Sequence, residues 1–241
     1  MKNSEVTEEE RNMLRSKIGQ LLWVARQTRP DIMFDTNKLS VGLKCAKVSD
    51  LIDANKVIRR IMTERVQLKF RCLGGKELKM VLFTDASLGN AQDNGSQGGL
   101  IAFIANANDD CAPVLWSSKK LRRIVRSTLA AETLALVDGI DFGIFIATLF
   151  SELYYGIPDP KKMPITCYID CQSLYDTLES TKGVSEKRLR LDISSIKENI
   201  QTGLITVKWV DSNNQLANCL TKLGASALKL LSVRKKGNLR C

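Results

Sequence analysis

The sequence predicts an α/β fold built on a mixed sheet, and three observations lead there. The first 70 residues carry three stretches of helical periodicity and a single proline, Pro30. Apolar runs of strand length then follow one another beyond Gly74-Gly75. From about residue 129 onward, helical patterns alternate with two further strand-like runs. Antiparallel strands first, then helices between strands, imply a mixed sheet covered by helices.

In chain order, Thr7 with Glu10 three residues later forms a capping-box signature. The helix it opens carries Met13, Leu14, Ile18, Leu21, Leu22 and Val24 at apolar positions. Pro30 suits the start of a second helix, with Ile32, Met33, Leu39, Val41 and Leu43 following. Ser49 is the expected cap of a third, which carries Leu51, Ile52, Val57, Ile58, Ile61 and Met62. Short helices are marginal alone, so these three must pack together or onto something else.

Past the glycine pair, strands are expected at 78–84, 98–105 and 114–117, the first two joined by a polar loop over 88–97. A long helix follows over 129–153. Its apolar run 142–150 is too short to span a bilayer and reads as a buried helical segment. A strand at 165–169, helices at 173–178 and 186–201, a strand at 204–210 and helical patterns from Gln215 complete the chain. The basic end, 233–241, is expected to fray. The predicted organisation is a helical segment at 1–73, an α/β domain at 76–232 and a basic tail at 233–241.

Composition narrows the chemistry. Among 241 residues, 36 Lys and Arg face 26 Asp and Glu, a net charge of +10 that suits a polyanionic partner. Histidine is absent, which excludes Ser–His–Asp and Cys–His catalysis and every zinc site that uses imidazole. Any general base or metal ligand must be a carboxylate, a thiolate or water. The seven cysteines contain no Cys-x-x-Cys pair, and their odd number fits reduced thiols better than a disulfide framework. The polar, acidic first ten residues do not read as a signal peptide. A soluble chain of the cytoplasm or nucleus, neither secreted nor bound to a membrane, is expected.

Three acids stand out by position. Asp85 and Asp170 each end an apolar strand, at the edge where α/β sheets place their ligand sites. Glu132 lies in the first turns of the long helix. Each also has a plain structural reading: an Asp after a strand as a turn residue or cap, and a Glu early in a helix as a partner of its dipole. However, Glu132 misses the capping-box offset from Thr128, and Ser173 is a better cap candidate than Asp170. Together the three could converge on hard cations that prefer oxygen ligands. Two Mg²⁺ ions about 3.5–4 Å apart serve in-line phosphodiester hydrolysis without a histidine.

At these residues the sequence resembles the end of the polymerase polyprotein of copia-type LTR retrotransposons: the last part of the reverse transcriptase and its ribonuclease H domain. The matching stretches are Ile18-Gly19-Gln20-Leu21-Leu22-Trp23 with Thr28-Arg29-Pro30-Asp31-Ile32, Thr84-Asp85-Ala86-Ser87, and Trp116-Ser117-Ser118-Lys119-Lys120. Arg126-Ser127-Thr128-Leu129-Ala130-Ala131-Glu132, Tyr168-Ile169-Asp170 and Gln215-Leu216-Ala217-Asn218-Cys219-Leu220-Thr221-Lys222 continue the match. The resemblance implies a ribonuclease H-like five-stranded mixed sheet with helices on both faces, preceded by a small helical segment like the polymerase thumb or connection. It implies cleavage of RNA in RNA–DNA hybrids with two Mg²⁺ ions, Mn²⁺ being able to replace them. Asp85, Glu132 and Asp170 match three of the family's four metal-binding carboxylates. Asn218 stands at the fourth catalytic position, where the family has Asp, and Asn214 where the family often has His. Asp211 nearby reads as a turn residue. The implied partners are nucleic acid and a chain carrying polymerase palm and fingers. Tyr168-Ile169-Asp170-Cys171 lacks the second Asp of a polymerase hairpin, so no polymerase activity is expected. The alternative is a catalytically degenerate or domesticated nucleic-acid-binding module.

Lys119, Lys120, Arg122, Arg123 and Arg126 form a basic stretch that runs into the helix of Glu132 and is expected to contact phosphates. Ser127 at the helix start could add a phosphate cradle, and Gln172 and Ser173 could reach sugar or base edges. Trp23, Trp116 and Trp209 read as core residues. A sugar-kinase or actin-like ATPase would need two such domains and glycine-rich phosphate loops, for which the chain has no room.

Overall fold

The computed structural model describes residues 2–74, 77–89, 95–181, 183–184 and 186–240. Gly75 and Lys76 at the expected boundary, residues 90–94 of the expected polar loop, and Cys241 lie outside the described residues. Helices α1 (Glu8–Gln27), α2 (Met33–Gly42) and α3 (Val48–Thr63) come first. Strands β1 (Lys79–Ser87), β2 (Gln97–Ala105) and β3 (Cys111–Lys120) follow, then α4 (Thr128–Tyr155) and β4 (Ile165–Ile169). The chain continues with α5 (Gln172–Glu179), α6 (Lys187–Gln201), β5 (Ile205–Trp209) and α7 (Leu228–Lys236).

One sheet runs in the order β3-β2-β1-β4-β5. The first three strands form an antiparallel meander. β4 adds parallel to β1, and β5 parallel to β4, each reached through helices. This is the ribonuclease H-like mixed sheet that the resemblance implies. β1 and β2 are buried along nearly their whole length, which is why they read as unbroken apolar runs.

Both faces are covered. Met80, Leu82, Ala102, Ile104, Ile165 and Cys167 pack with residues of α4, α5 and α6. Val81, Phe83, Ile101 and Phe103 point the other way, onto Leu21 and Ala25 of α1, Val57 of α3 and Leu230 and Val233 of α7. The N-terminal helices therefore fold back on the sheet, and they keep a small core of their own around Leu14, Ile18, Leu39 and Ala54. On the α4 face, Gly139 permits the close approach: a Cβ there would lie 2.5 Å from Thr84.

Arg29 and Asp31 tie this second face together. Arg29 grips Asp31 through Nε and Nη2 at 2.9 and 2.8 Å. Arg60 adds a contact at 3.2 Å, and Arg234 reaches in from α7, donating to the Thr28 carbonyl at 2.6 Å. Burial pulls the Arg234 pKa down to about 10; Asp31 opposes that shift and the like charge of Arg29 adds to it.

Several expectations need correction. Over its described residues, 233–240, the basic end is not frayed. Val233 and Arg234 are buried, and Asn238 pairs with Asp110, because α7 has both an apolar side for the sheet and a buried counter-ion in Asp31. The run 142–150 is not wholly buried, since Phe142, Phe145 and Leu149 face outward from α4. By length and composition α4 could cross a membrane, although its other side packs on the sheet. Trp23 and Trp209 are 68% and 45% exposed, while Trp116 is partly buried and bonds the Ala25 carbonyl. Trp23 lies off the Leu14–Ile18–Leu21–Ala25 stripe of α1, so the sheet does not cover it. Ser49 does not cap α3: Glu5 and Lys47 pair as a bridge, and the helix starts directly after it. No disulfide joins the six cysteines among the described residues.

Candidate metal centre

Asp85 lies inside β1 rather than at its end, because the ladder continues through Ala86–Gly98 and Ser87–Gln97. Its neighbour across the strands is Gly99. A Cβ on Gly99 would stand 2.7 Å from Thr221 and 2.8 Å from Leu220, so only glycine lets the 218–222 turn settle on the sheet there. That turn brings two side chains to Asp85. The Thr221 hydroxyl donates to Oδ2, and the Lys222 ammonium to Oδ1 at 3.1 Å. Asp85 is fully buried, and burial is the main reason its pKa is raised. Lys222 and Thr221 pull it back, and Asp170 pushes it further up.

Glu132 sits in the second turn of α4, which Ser127 caps by accepting the Ala130 N–H at 3.1 Å. With capping done by Ser127, Glu132 is left to face the sheet. It is 4% exposed and accepts the Ala86 N–H, yet its Oε2 is buried with no hydrogen-bond partner. Burial, then the charges of Asp85 and Asp170, push its pKa up to about 9. Asp170 follows β4 directly. The Ser212 hydroxyl donates to its carboxylate at 2.7 Å, and the Trp209 indole N–H to its carbonyl at 3.2 Å.

The three carboxylates, from three separate elements, each present an oxygen within 4.8 Å of the others. Three acids in a largely dry pocket repel one another when ionised. A hard cation with oxygen ligands would relieve that repulsion, and the orphaned Glu132 Oε2 is the atom it would satisfy.

Asn218 is nearby but engaged within the chain. Its Nδ2 donates to the Ser212 carbonyl at 2.6 Å, and its Oδ1 accepts from Lys222 at 2.6 Å. Asp211 accepts the Asn213 N–H and is a turn residue, and Asn214 accepts from Lys229. The basic stretch is partly neutralised. Lys119 pairs with Asp138 at 3.0 Å and lies over the Phe142 ring, and Arg123 pairs with Asp192 at 2.9 Å. Arg122 and Arg126 are exposed, as is Lys120 at the end of β3. Ser127 is occupied as a cap. Gln172 bonds Asp176, and Ser173 bonds Cys171 while lying inside α5 rather than capping it. Ser212, Thr221, Lys222 and the exposed Trp209 bond Asp85 or Asp170, contacts that sequence reasoning missed. For Thr221 and Lys222 the signal was present in the matched stretch ending Leu220-Thr221-Lys222.

No model of a protein family matches the chain. Over 212 residues it is 28% identical to the retrovirus-related Pol polyprotein from transposon RE2 of Arabidopsis thaliana. That covers 86% of this chain and 14% of the relative. A putative transposon Ty5-1 protein of Saccharomyces cerevisiae is 38% identical over 112 residues, 46% of this chain and 34% of that one. The chain thus spans about one seventh of the length of the first relative. Among solved structures, the metagenomic LC11-RNase H1 aligns at 15% identity and TM-score 0.43, covering 59% of this chain and 92% of its own. A foamy viral protease-reverse transcriptase in complex with an RNA/DNA hybrid aligns at 13% identity and TM-score 0.43, covering 66% and 21%.

Proposed function

We propose that this chain, a homologue of retrovirus-related Pol polyproteins with a ribonuclease H-like fold, hydrolyses the RNA strand of RNA–DNA hybrids using a divalent metal, Mg²⁺ or Mn²⁺. The observation that carries the reading is the Glu132 Oε2, a buried carboxylate oxygen without a partner beside Asp85 and Asp170. Asp85, Glu132 and Asp170 would hold the metal. Bound there, it supplies activation of water and neutralisation of charge at the scissile phosphate.

The chain's own groups prepare that chemistry. Thr221 and Lys222 lock the rotamer of Asp85, Ser212 orients Asp170, and the Ala86 N–H fixes Glu132. Arg122 and Arg126, exposed on the loop that leads into α4, would hold the phosphate backbone. Trp209 offers an exposed ring next to Asp170 on which a sugar or base can stack. With such a substrate, the proposed place of action is the cytoplasm or nucleus, and the proposed protein partner is a chain carrying the polymerase palm and fingers.

A second reading, a hybrid-binding module with degenerate catalysis, draws support from Asn218. Both ends of its amide are spent on Ser212 and Lys222. A labelled RNA–DNA hybrid with Mg²⁺ or Mn²⁺ separates the two. Cutting of the RNA strand by the native chain, abolished by Asp85→Asn and by a chelator, supports the nuclease. Binding without cutting supports the module, and cutting that survives Asp85→Asn overturns the assignment of these carboxylates.

A further inference from the structure

We infer that Lys222 occupies, as a fixed protein cation, the side of Asp85 that faces residue 218, so that this centre takes one divalent ion where the family resemblance implies two. The inference rests on the metal-binding reading of Asp85, Glu132 and Asp170 given above.

The Lys222 ammonium lies 3.1 Å from Asp85 Oδ1 and 2.6 Å from Asn218 Oδ1. An ion on the side of Asp85 that faces residue 218 would compete with the ammonium for those same two oxygens. Two cations cannot share them, since like charges at such separations repel strongly in a partly desolvated site. The position of the ammonium is not accidental. Asn218 and Lys222 are four residues apart in one tight turn, with the Lys222 N–H bonded to the Asn218 carbonyl. The Asn218 Nδ2 is held by Ser212, which turns the amide oxygen toward the ammonium.

Asp85 remains able to ligate on its other side. Its two oxygens offer about four lone-pair sites, and Lys222 and Thr221 take one each. Charge agrees with position. One divalent ion together with one ammonium matches three carboxylates, whereas a second divalent ion would leave two positive charges in excess. An aspartate at 218 would not by itself vacate the position, because it would only bind Lys222 more tightly.

The test counts Mn²⁺ by electron paramagnetic resonance, following the decline of the free-ion signal on titration into the full chain. Native protein is expected to take one Mn²⁺, as are Asn218→Asp and the cation-keeping double variant Asn218→Asp with Lys222→Arg. Asn218→Asp with Lys222→Met is expected to take two, with the spectral broadening of neighbouring spins. Circular dichroism establishes that each variant is folded. Two ions in the native chain, or one in the Met double variant, would overturn the inference and leave the metal-dependent function standing. No ion in the native chain would remove the metal reading itself, and this inference with it.

Discussion

Asp31 and Arg234 face each other at 3.7 Å with neither side chain exposed, one near the start of the chain and the other in its last helix. Arg29 holds the same carboxylate bidentately, so a single buried anion serves guanidiniums from both ends of the sequence. Asp31→Asn leaves those cations uncompensated and is expected to cost roughly 3–5 kcal/mol in urea unfolding. Glu8→Gln, which breaks only the exposed Arg11 pair, should leave the midpoint nearly unchanged. Equal effects from the two would mean that the buried cluster does not hold the second face together.

Gly99→Ala places a methyl group against Thr221 and Leu220. Overpacking of this kind costs about 1–3 kcal/mol. Because the turn that moves also carries Lys222, Mn²⁺ affinity is expected to change along with stability. A variant that loses stability while keeping native Mn²⁺ affinity would show that the turn and the centre are independent.

The metal-free chain should lose stability as pH rises. The Glu132 pKa is raised from 4.5 to about 9, so between those values the unfolded state gives up its proton first and gains relative to the native state. Melting temperatures measured in chelator from pH 5 to 9 are expected to fall, and Glu132→Gln should flatten the profile. Binding of Mn²⁺ near pH 7 should release a proton, which calorimetry in buffers of different ionisation enthalpy will detect.

Removing Arg122 and Arg126 should weaken hybrid binding and lower its salt dependence, by about 0.9 in log–log slope for each phosphate that is no longer neutralised. Lys119→Ala and Arg123→Ala should matter less, since Asp138 and Asp192 already neutralise those charges. Fluorescence anisotropy across a salt series measures both. An equal weakening at all four positions would mean that these ion pairs open on binding.

The order of elements was legible in the sequence because the strands of this sheet are either buried on both faces or bounded by clear turns. β4 was readable to the residue. β3 proved longer than its apolar run, because it begins with Cys111-Ala112-Pro113 beside a register shift, where proline is tolerated in an edge strand. Asp85, Glu132 and Asp170 could be picked out by position alone. Their support could not: Thr221, Lys222 and Ser212 meet them only through long-range packing, to which no local periodicity points. The exposure of Trp23 and Trp209 was hidden for the same reason, since hydrophobicity does not say which side of an element another element will cover.

Helices α1 and α7, far apart in sequence, jointly roof one side of the sheet, and this bears on biogenesis. While the ribosome is still making α7, the nascent strands present Val81, Phe83, Ile101 and Phe103 without the cover of Leu230 and Val233. The contacts that close this face join residues far apart in sequence, the class of closure that forms slowly. Until α7 has been made, the half-roofed intermediate is open to aggregation and to chaperone capture.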